Sequence, residues 1–172
     1  MWAAVRDQRQ LEVRELYDSK ARGLFKLAVV LVGDAESAED IVQEAFLAYF
    51  RARPGPKPGS ELAYLRRTVV NLAHGHHRRR YRRQVLRGDT ALESPSAESE
   101  VSDAHRLARV VAEVRSLPER QRDAVVLHYF SGLSGTEIAS VLAISPGSVK
   151  THLHRARVTL AQRLEELNDG RR

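Results

Sequence analysis

The sequence predicts an all-α protein built as two small helical domains. Three observations carry this. Apolar residues recur at spacings of three and four in nearly every segment, with almost no strand-like alternation. Helix-start chemistry appears repeatedly, as two Ser-x-x-Glu pairs and a Ser-Pro step. Between two basic blocks lies GDTALESPSAESEVSDA (88–104), which has five acidic residues, no basic ones and little apolar content. A segment of that composition buries too little surface to fold, so it reads as a flexible linker. The expected organisation is a domain over 1–87, a linker over 88–104 and a domain over 105–172.

Taking the elements in order, Leu11 to Val32 reads as an apolar helix or helix pair ended by Gly33. Asp34 or Ser37 then caps a helix whose apolar face is Ile41, Val42, Ala45, Phe46, Tyr49 and Phe50. Its other side carries Glu36, Glu39, Asp40, Gln43 and Glu44, and the acids near its start suit the helix dipole. RARPGPKPGS has three prolines and two glycines in ten residues and must be a loop. Glu61 to Arg83 is a long helical pattern with Leu62, Leu65, Val69 and Leu72 on one face. In the second block the pattern gives a helix at about 104–115 (Leu107, Val110, Val111, Val114). A second follows at about 117–131, with Ala124, Val125, Leu127, Tyr129 and Phe130 inward. Ser116 with Glu119, Ser134 with Glu137, and Ser145 before Pro146 mark three successive starts. The last two open helices at about 135–142 and 146–167.

Composition and charge limit the function. The chain has 172 residues, a formal net charge of +6 and no cysteine, so it holds no disulfide framework, Cys-based zinc site or thiol switch. Its longest apolar run, Leu27 to Val32, is far below the roughly 20 residues that cross a bilayer, and no signal-peptide pattern opens the chain. A cytoplasmic protein without membrane insertion is expected. Arg outnumbers Lys by 24 to 4. That bias suits phosphate and guanine recognition, although a GC-rich coding bias gives the same skew.

The distribution of charge is more informative than its total. From Arg66 to Arg87 there are eight Arg, three His and no acid. Such a run repels itself unless a polyanion is present, which favours a binding face over a merely solvated one. Farther on, 135–142 and 146–162 are joined by Ala143-Ile144-Ser145, the spacing of a helix-turn-helix. Ile138 and Leu142 flank the small Ala139, where a second helix approaches closely. Val149, Leu153, Ala156 and Leu160 form the buried stripe of the second helix. Ser148, Lys150, Thr151, His152, His154, Arg155 and Arg157 are left on its outer faces, and those types bond to phosphates and base edges. Short amphipathic helices at this spacing also occur in bundles that touch no DNA; the capping, the small residue and the basic face together favour DNA.

Two histidine clusters bear on other chemistry. His74-Gly-His76-His77 and His152-x-His154 do not converge as metal ligands from successive helix positions, so no metal site is expected. Neither paired carboxylates, a nucleophile beside a base, nor a Gly-rich phosphate loop occurs in a suitable context, so no enzyme and no cofactor is expected.

At this point the two blocks together resemble a known family. GDAESAEDIVQEAFLAYFR followed by LAYLRRTVVNLAHGHHRRRYRR is similar to region 2 of a bacterial sigma factor of the extracytoplasmic function (ECF) group. LPERQRDAVVLHYFSGLSGTEIASVLAISPGSVKTHLHRARVTLAQRL is similar to region 4 of the same group. The resemblance spans about residues 10 to 168. It implies an alternative sigma factor whose AEDIVQEAF helix docks on core RNA polymerase through Asp40, Gln43, Glu44, Phe50 and Arg51. It further implies recognition of the promoter −10 element by loop 54–60 and by Arg66, Arg67, Asn71, His74, Arg78, Arg79 and Arg82. The −35 element falls to Ser148, Lys150, Thr151, His154, Arg155 and Arg157, and an anti-sigma factor is the implied regulator.

The sequence departs from the family's pattern at two places. Gly75 stands where an acidic residue is usual, and Ala63-Tyr64 replaces the common aromatic start of the basic helix. Glycine inside a helix costs about 1 kcal/mol relative to alanine, so a kink or break is expected near Gly75. The Pro-rich loop offers few side chains for reading a base and points to backbone groups instead. Outside the resemblance, the alternatives are a stand-alone helix-turn-helix regulator, which binds an operator without polymerase, and an RNA-binding module using the Arg-rich helix. Neither has a use for the acidic AEDIVQEAF helix.

Overall fold

The computed structural model describes residues 2–87 and 103–169, and among these every regular element is helical. The 88–102 part of the expected linker lies outside the described residues. Helix α1 (Trp2–Val32) is one continuous helix, not a pair. It stops where Gly33 takes φ +101° and returns its N–H to the carbonyl of Val29 at 2.9 Å. That left-handed turn is open to glycine at little cost. Asp34 follows in extended backbone and caps α2 (Ala35–Arg51), its Oδ1 accepting from the N–H of Ser37 at 2.7 Å.

The first bundle packs α1, α2 and α3 (Glu61–Arg87) around Leu24, Leu27, Leu31, Ile41, Val42, Phe46, Leu65 and Val69. The apolar face expected for α2 is buried except at Phe50, which is half-buried. Tyr17, only partly covered, lies against Phe46 with ring centroids 4.9 Å apart. The break expected near Gly75 is absent, because α3 runs unbroken through it. Nothing presses on the helix there: an added Cβ would meet only the Arg79 guanidinium, at 3.9 Å.

The second bundle contains α4 (Asp103–Ser116), α5 (Glu119–Val125), α6 (Gly135–Leu142) and α7 (Pro146–Asp169). Of the two Ser-x-x-Glu pairs, only the second forms a capping box: Ser134 Oγ accepts from the Glu137 N–H, and Glu137 Oε2 accepts from the Ser134 N–H at 2.8 Å. Ser116 instead ends α4, and its hydroxyl donates to the carbonyl of Glu113 at 2.8 Å. Pro118 holds the N-cap position of α5 without a side-chain bond. Because α5 begins at Glu119, that glutamate sits at the first helical position and not the third, so Ser116 and Glu119 are out of register for a capping box. The cap expected at Ser145 is formed, its Oγ accepting from the Ser148 N–H at 3.1 Å.

Tyr129 and Phe130 correct the reading of the 117–131 helix, since they are 58% and 43% exposed. The cause is a π-helical turn over Val126–Phe130, closed by the Ser131 N–H on the Val126 carbonyl at 3.2 Å. A wider turn advances the register and brings Val126 inward in their place. Leu107, also expected inside, lies on the outside of α4 at 60% exposure.

The two bundles touch. α6 packs on α3, and α4 and the π-helical turn pack on α1. Arg115 of α4 reaches the end of α1, where Nε and Nη2 donate to the carbonyls of Val30 and Val29 at 3.1 and 3.2 Å. A cation there meets the unpaired carbonyls and negative pole of the helix end.

Candidate nucleic-acid interface

Three helix faces carry the candidate residues. On α2, Asp40, Gln43, Glu44 and Arg51 are all exposed. Their spacing of three, four and seven places them in one stripe along the helix. Leu47 belongs to the same stripe and is 49% exposed. Sequence reasoning missed it by treating apolar residues as core, although the helical period alone puts position 47 between Glu44 and Arg51. The exposed leucine gives this acidic and amide stripe an apolar centre with a polar rim, the composition common at protein interfaces.

Along α3 the candidates divide into two groups. Asn71, Arg78, Arg79 and Arg82 are exposed, and Arg80 and Arg83 extend the cationic surface around the last three. Arg66 and His74 are covered by the second bundle instead, and Arg67, though still exposed, is tethered to it. Arg67 donates from Nε to the Val141 carbonyl at 2.9 Å and from Nη2 to the carbonyl of Ser140. Those acceptors belong to the last turn of α6, where unpaired carbonyls collect. Burial lowers the pKa of Arg66, partly offset by the charge of Glu137. Hydrogen bonds from the Ser134 side chain and backbone hold Glu137 itself below the ordinary carboxylate value, helped by Arg66.

His74 is the most enclosed candidate, only 6% exposed. Its Nε2 donates to Asp123 Oδ2 at 2.9 Å, and its Nδ1 stands 3.3 Å from Glu119 Oε1. Asp123 is itself 0% exposed, so the contact places a carboxylate deep between α3 and α5. Neither Asp123 nor Arg115 was singled out from sequence, because nothing local marks a charged residue as buried by a distant helix.

The neighbouring histidines finish the first bundle. His77 Nε2 donates to the carbonyl of Leu31 at 2.8 Å, adding a third support to the end of α1. Burial depresses the pKa of His77, and also that of His76, where the nearby Asp34 works in the opposite direction. Burial tends to raise the pKa of Asp34, but hydrogen bonds from Ser37 and the charges of His76 and Arg80 outweigh it, and the net shift is downward.

On α7, Val149 and Ala156 are buried against α6 and α5, while Lys150, Thr151, His154, Arg155 and Arg157 are exposed and Ser148 is half-buried. The arrangement is that of a helix-turn-helix with a free second helix, closed by Ala143 in the left-handed region at φ +53°. Thr151 Oγ1 donates to the carbonyl of Gly147 at 3.0 Å, which leaves its lone pairs outward. Arg157 is fixed more firmly than its exposure suggests: Nε donates to the Tyr129 hydroxyl at 3.0 Å, and the guanidinium lies 6.0 Å from the ring centroid. The π-helical turn that carries Tyr129 outward thus supplies this contact. Among the described residues no helix is long and apolar enough to cross a membrane.

Comparison with known proteins agrees with this layout. Residues 16–83 match the family model of sigma-70 region 2, and residues 107–160 match that of sigma-70 region 4. The chain is 32% identical over 175 residues to the RNA polymerase sigma-H factor of Pseudomonas aeruginosa, covering 94% of this chain and 89% of the relative. It is 31% identical over 159 residues to the ECF RNA polymerase sigma factor SigL of Mycobacterium tuberculosis, covering 90% of each. Identity is 35% over 151 residues to the ECF sigma factor SigE of Mycolicibacterium smegmatis; there the match covers 85% of this chain but only 59% of the relative's length. Among solved structures, the fold is similar to the sigma factor RpoE in complex with the anti-sigma factor NepR from Bartonella quintana, with TM-score 0.73, 22% identity and coverage of 90% and 97%. It is also similar to CnrH in complex with the cytosolic domain of CnrY, with TM-score 0.67, 22% identity and coverage of 95% and 94%.

Proposed function

We propose, because this chain belongs to the extracytoplasmic function group of RNA polymerase sigma factors, that it binds core RNA polymerase in the cytoplasm and directs initiation at promoters it reads through −10 and −35 elements. The observation that carries the residue assignments is the order of the faces: an acidic and amide stripe on α2, then the cationic surface of α3, then the free helix of α7. A stand-alone regulator has no use for the first.

In this reading Asp40, Gln43, Glu44, Leu47 and Arg51, with Phe50 beside them, dock on polymerase. The stripe pairs with a basic surface that has an apolar centre. Arg78, Arg79 and Arg82 hold phosphates of the opened strand, and Asn71 and loop 54–60 lie where an unstacked base is captured. Arg66, Arg67 and His74 complete that face once α3 is uncovered. Capturing a flipped base and its flanking phosphates offsets part of the free energy of opening the duplex. Lys150, Thr151, His154 and Arg155 read the −35 duplex in the major groove, with Ser148 and Arg157 flanking them. The protein performs no chemistry itself; its work is differential binding. An anti-sigma factor that covers these faces is the proposed regulator.

The test separates docking from reading. Glu44→Lys with Asp40→Lys is expected to abolish retention on core polymerase while leaving duplex binding by α7 intact. Arg155→Ala is expected to do the reverse, with a loss on the order of 1–3 kcal/mol in recognition of the −35 element. Equal loss from both variants in both assays contradicts the assignment.

A further inference from the structure

Arg157 stands apart from the other cations of α7 because one of its nitrogens is already engaged. Its Nε donates to the Tyr129 hydroxyl at 3.0 Å, across 28 positions of sequence. The guanidinium carbon is 6.0 Å from the centre of the Tyr129 ring, at the outer limit of attraction to a ring face. The hydroxyl, not the ring, therefore carries the contact. Tyr129 is itself held, since its ring meets that of His128 edge-on, with centroids 4.8 Å apart and planes at 76°. His128 is fixed in turn: its Nδ1 faces the Leu133 carbonyl at 2.9 Å and must be the donor there. An arginine on an exposed helix face is thus braced through two rings to the backbone of the second bundle.

The brace leaves a particular set of donors unused. Among the described residues no carboxylate pairs with Arg157, and its terminal nitrogens have no partner. The Tyr129 hydroxyl accepts from Nε and keeps its own proton to donate, for which no acceptor stands among the described residues. Both residues are exposed. A phosphodiester suits this pair, because its oxygens take charge-assisted bonds from a guanidinium and a further bond from a hydroxyl. The place along α7 agrees. Arg157 lies two turns beyond Lys150, about 10 Å along the axis, and the major groove is about 12 Å wide. With the first turns of the helix at the base edges, a residue that far along meets the phosphates of the groove wall.

We propose that Tyr129 and Arg157 form one phosphate clamp at the edge of the −35 duplex, both donating to the same phosphate, with Tyr129 also acting as the positioning residue of the arginine. The proposal rests on the reading of α7 as the −35 face and adds to it a residue from outside the helix-turn-helix. Tyr129 reaches that edge because the π-helical turn over Val126–Phe130 advances the register. The clamp orders the arginine before DNA arrives, so binding does not have to immobilise it. It reads no base. It fixes α7 on the backbone, from which Lys150, Thr151, His154 and Arg155 reach the base edges.

The test uses the full chain carrying Arg78→Ala, Arg79→Ala and Arg82→Ala, which removes cations of α3 that compete for duplex DNA. A short, fluorescently labelled duplex of mixed sequence is titrated at several salt concentrations, and thermal unfolding is followed in parallel. Tyr129→Phe removes the hydroxyl and keeps the ring. It is expected to weaken binding about fivefold, the order of one hydrogen bond, and to leave the thermal midpoint unchanged. Arg157→Ala loses a phosphate contact, which lowers the slope of log affinity against log salt by about 0.9. The slope for Tyr129→Phe should fall towards that of Arg157→Ala. Once Arg157 is alanine, Tyr129→Phe is expected to add little, because the two act as a unit.

A lower thermal midpoint with affinity and slope unchanged makes Tyr129 a structural support alone and overturns the clamp. So does loss of affinity and slope in Arg157→Ala while Tyr129→Phe keeps both, for then the arginine works alone. Lys150→Ala with Arg155→Ala distinguishes these results from failure of the underlying reading. If that pair weakens duplex binding and Tyr129→Phe does not, α7 is the DNA face and lacks the clamp. If that pair has no effect, the reading of α7 itself is wrong.

Discussion

His74 Nε2 and Asp123 Oδ2 lie 2.9 Å apart, joining a residue of the first bundle to a fully enclosed carboxylate of the second. Removing one partner of such a pair leaves the other buried without compensation, typically about 3–5 kcal/mol. His74→Ala is therefore expected to lower the stability of the closed chain by an amount near the lower end of that range, because opening the bundles lets water reach Asp123. His74→Ala with Asp123→Ala is expected to be less destabilised than the two single losses added together. Denaturant unfolding of the four proteins in the cycle measures this coupling, and simple additivity would remove the pair from the account.

Gly33 is constrained twice. Its φ of +101° disfavours any side chain, and an added Cβ would stand 2.9 Å from Arg115 Nη1. Gly33→Ala should cost more than the roughly 1 kcal/mol of a simple left-handed position, because it also displaces the arginine from the end of α1. Thermal unfolding in the presence and absence of Arg115→Gln separates the parts: the second substitution should recover the steric share and leave the backbone share.

Ser134 and Ser116 look alike in sequence, each followed three residues later by glutamate, but only Ser134 caps a helix. Ser134→Ala is expected to destabilise the chain by about 1 kcal/mol. Ser116→Ala should change it less, since its hydroxyl starts no helix: it donates to the Glu113 carbonyl of its own helix and accepts from Arg163 Nη1 of α7 at an exposed position. Equal effects in chemical denaturation would contradict the capping assignment.

The contrast between those serines shows how much of the fold was legible. Helical period identified the buried face of α2, the α3 core and the helix-turn-helix because each depends on residues close in sequence. Asp34 and Ser134 were readable as caps for the same reason. What escaped depended on distant partners or on a change of period. Ser116 was lost because α5 starts at Glu119 behind Pro118, and Tyr129 and Phe130 were lost to the π-helical turn. In the site, the acidic and amide residues of the α2 stripe, the Arg-rich face and the outer face of α7 were readable as lists of exposed residues, Leu47 excepted. The enclosure of His74 and the tethering of Arg67 were not, because Asp123, Ser140 and Val141 come to them from about fifty to seventy positions away.

Acid should loosen the first bundle. Burial holds the pKa values of His77 and His76 below the ordinary 6.5, so the unfolded chain takes up protons that the folded chain resists. For a depressed pKa the stabilisation is complete above 6.5 and is lost as pH falls through the folded value. The thermal midpoint is expected to fall as pH is lowered from 7.5 to 5.5 in constant salt. His77→Gln, which keeps a donor for the Leu31 carbonyl but does not titrate, should flatten the slope. An unchanged slope would mean that the histidine does not carry the effect.

The central claim is that α2, α3 and α7 act together on polymerase and promoter. In vitro transcription tests it most directly: core RNA polymerase and a pool of genomic fragments from the source organism, with and without the folded protein, and the new 5′ ends sequenced. New start sites that share two spaced motifs, and that disappear with Glu44→Lys and Asp40→Lys, are the expected result. No new starts from a preparation shown to be folded, together with operator binding in the absence of polymerase, would contradict it.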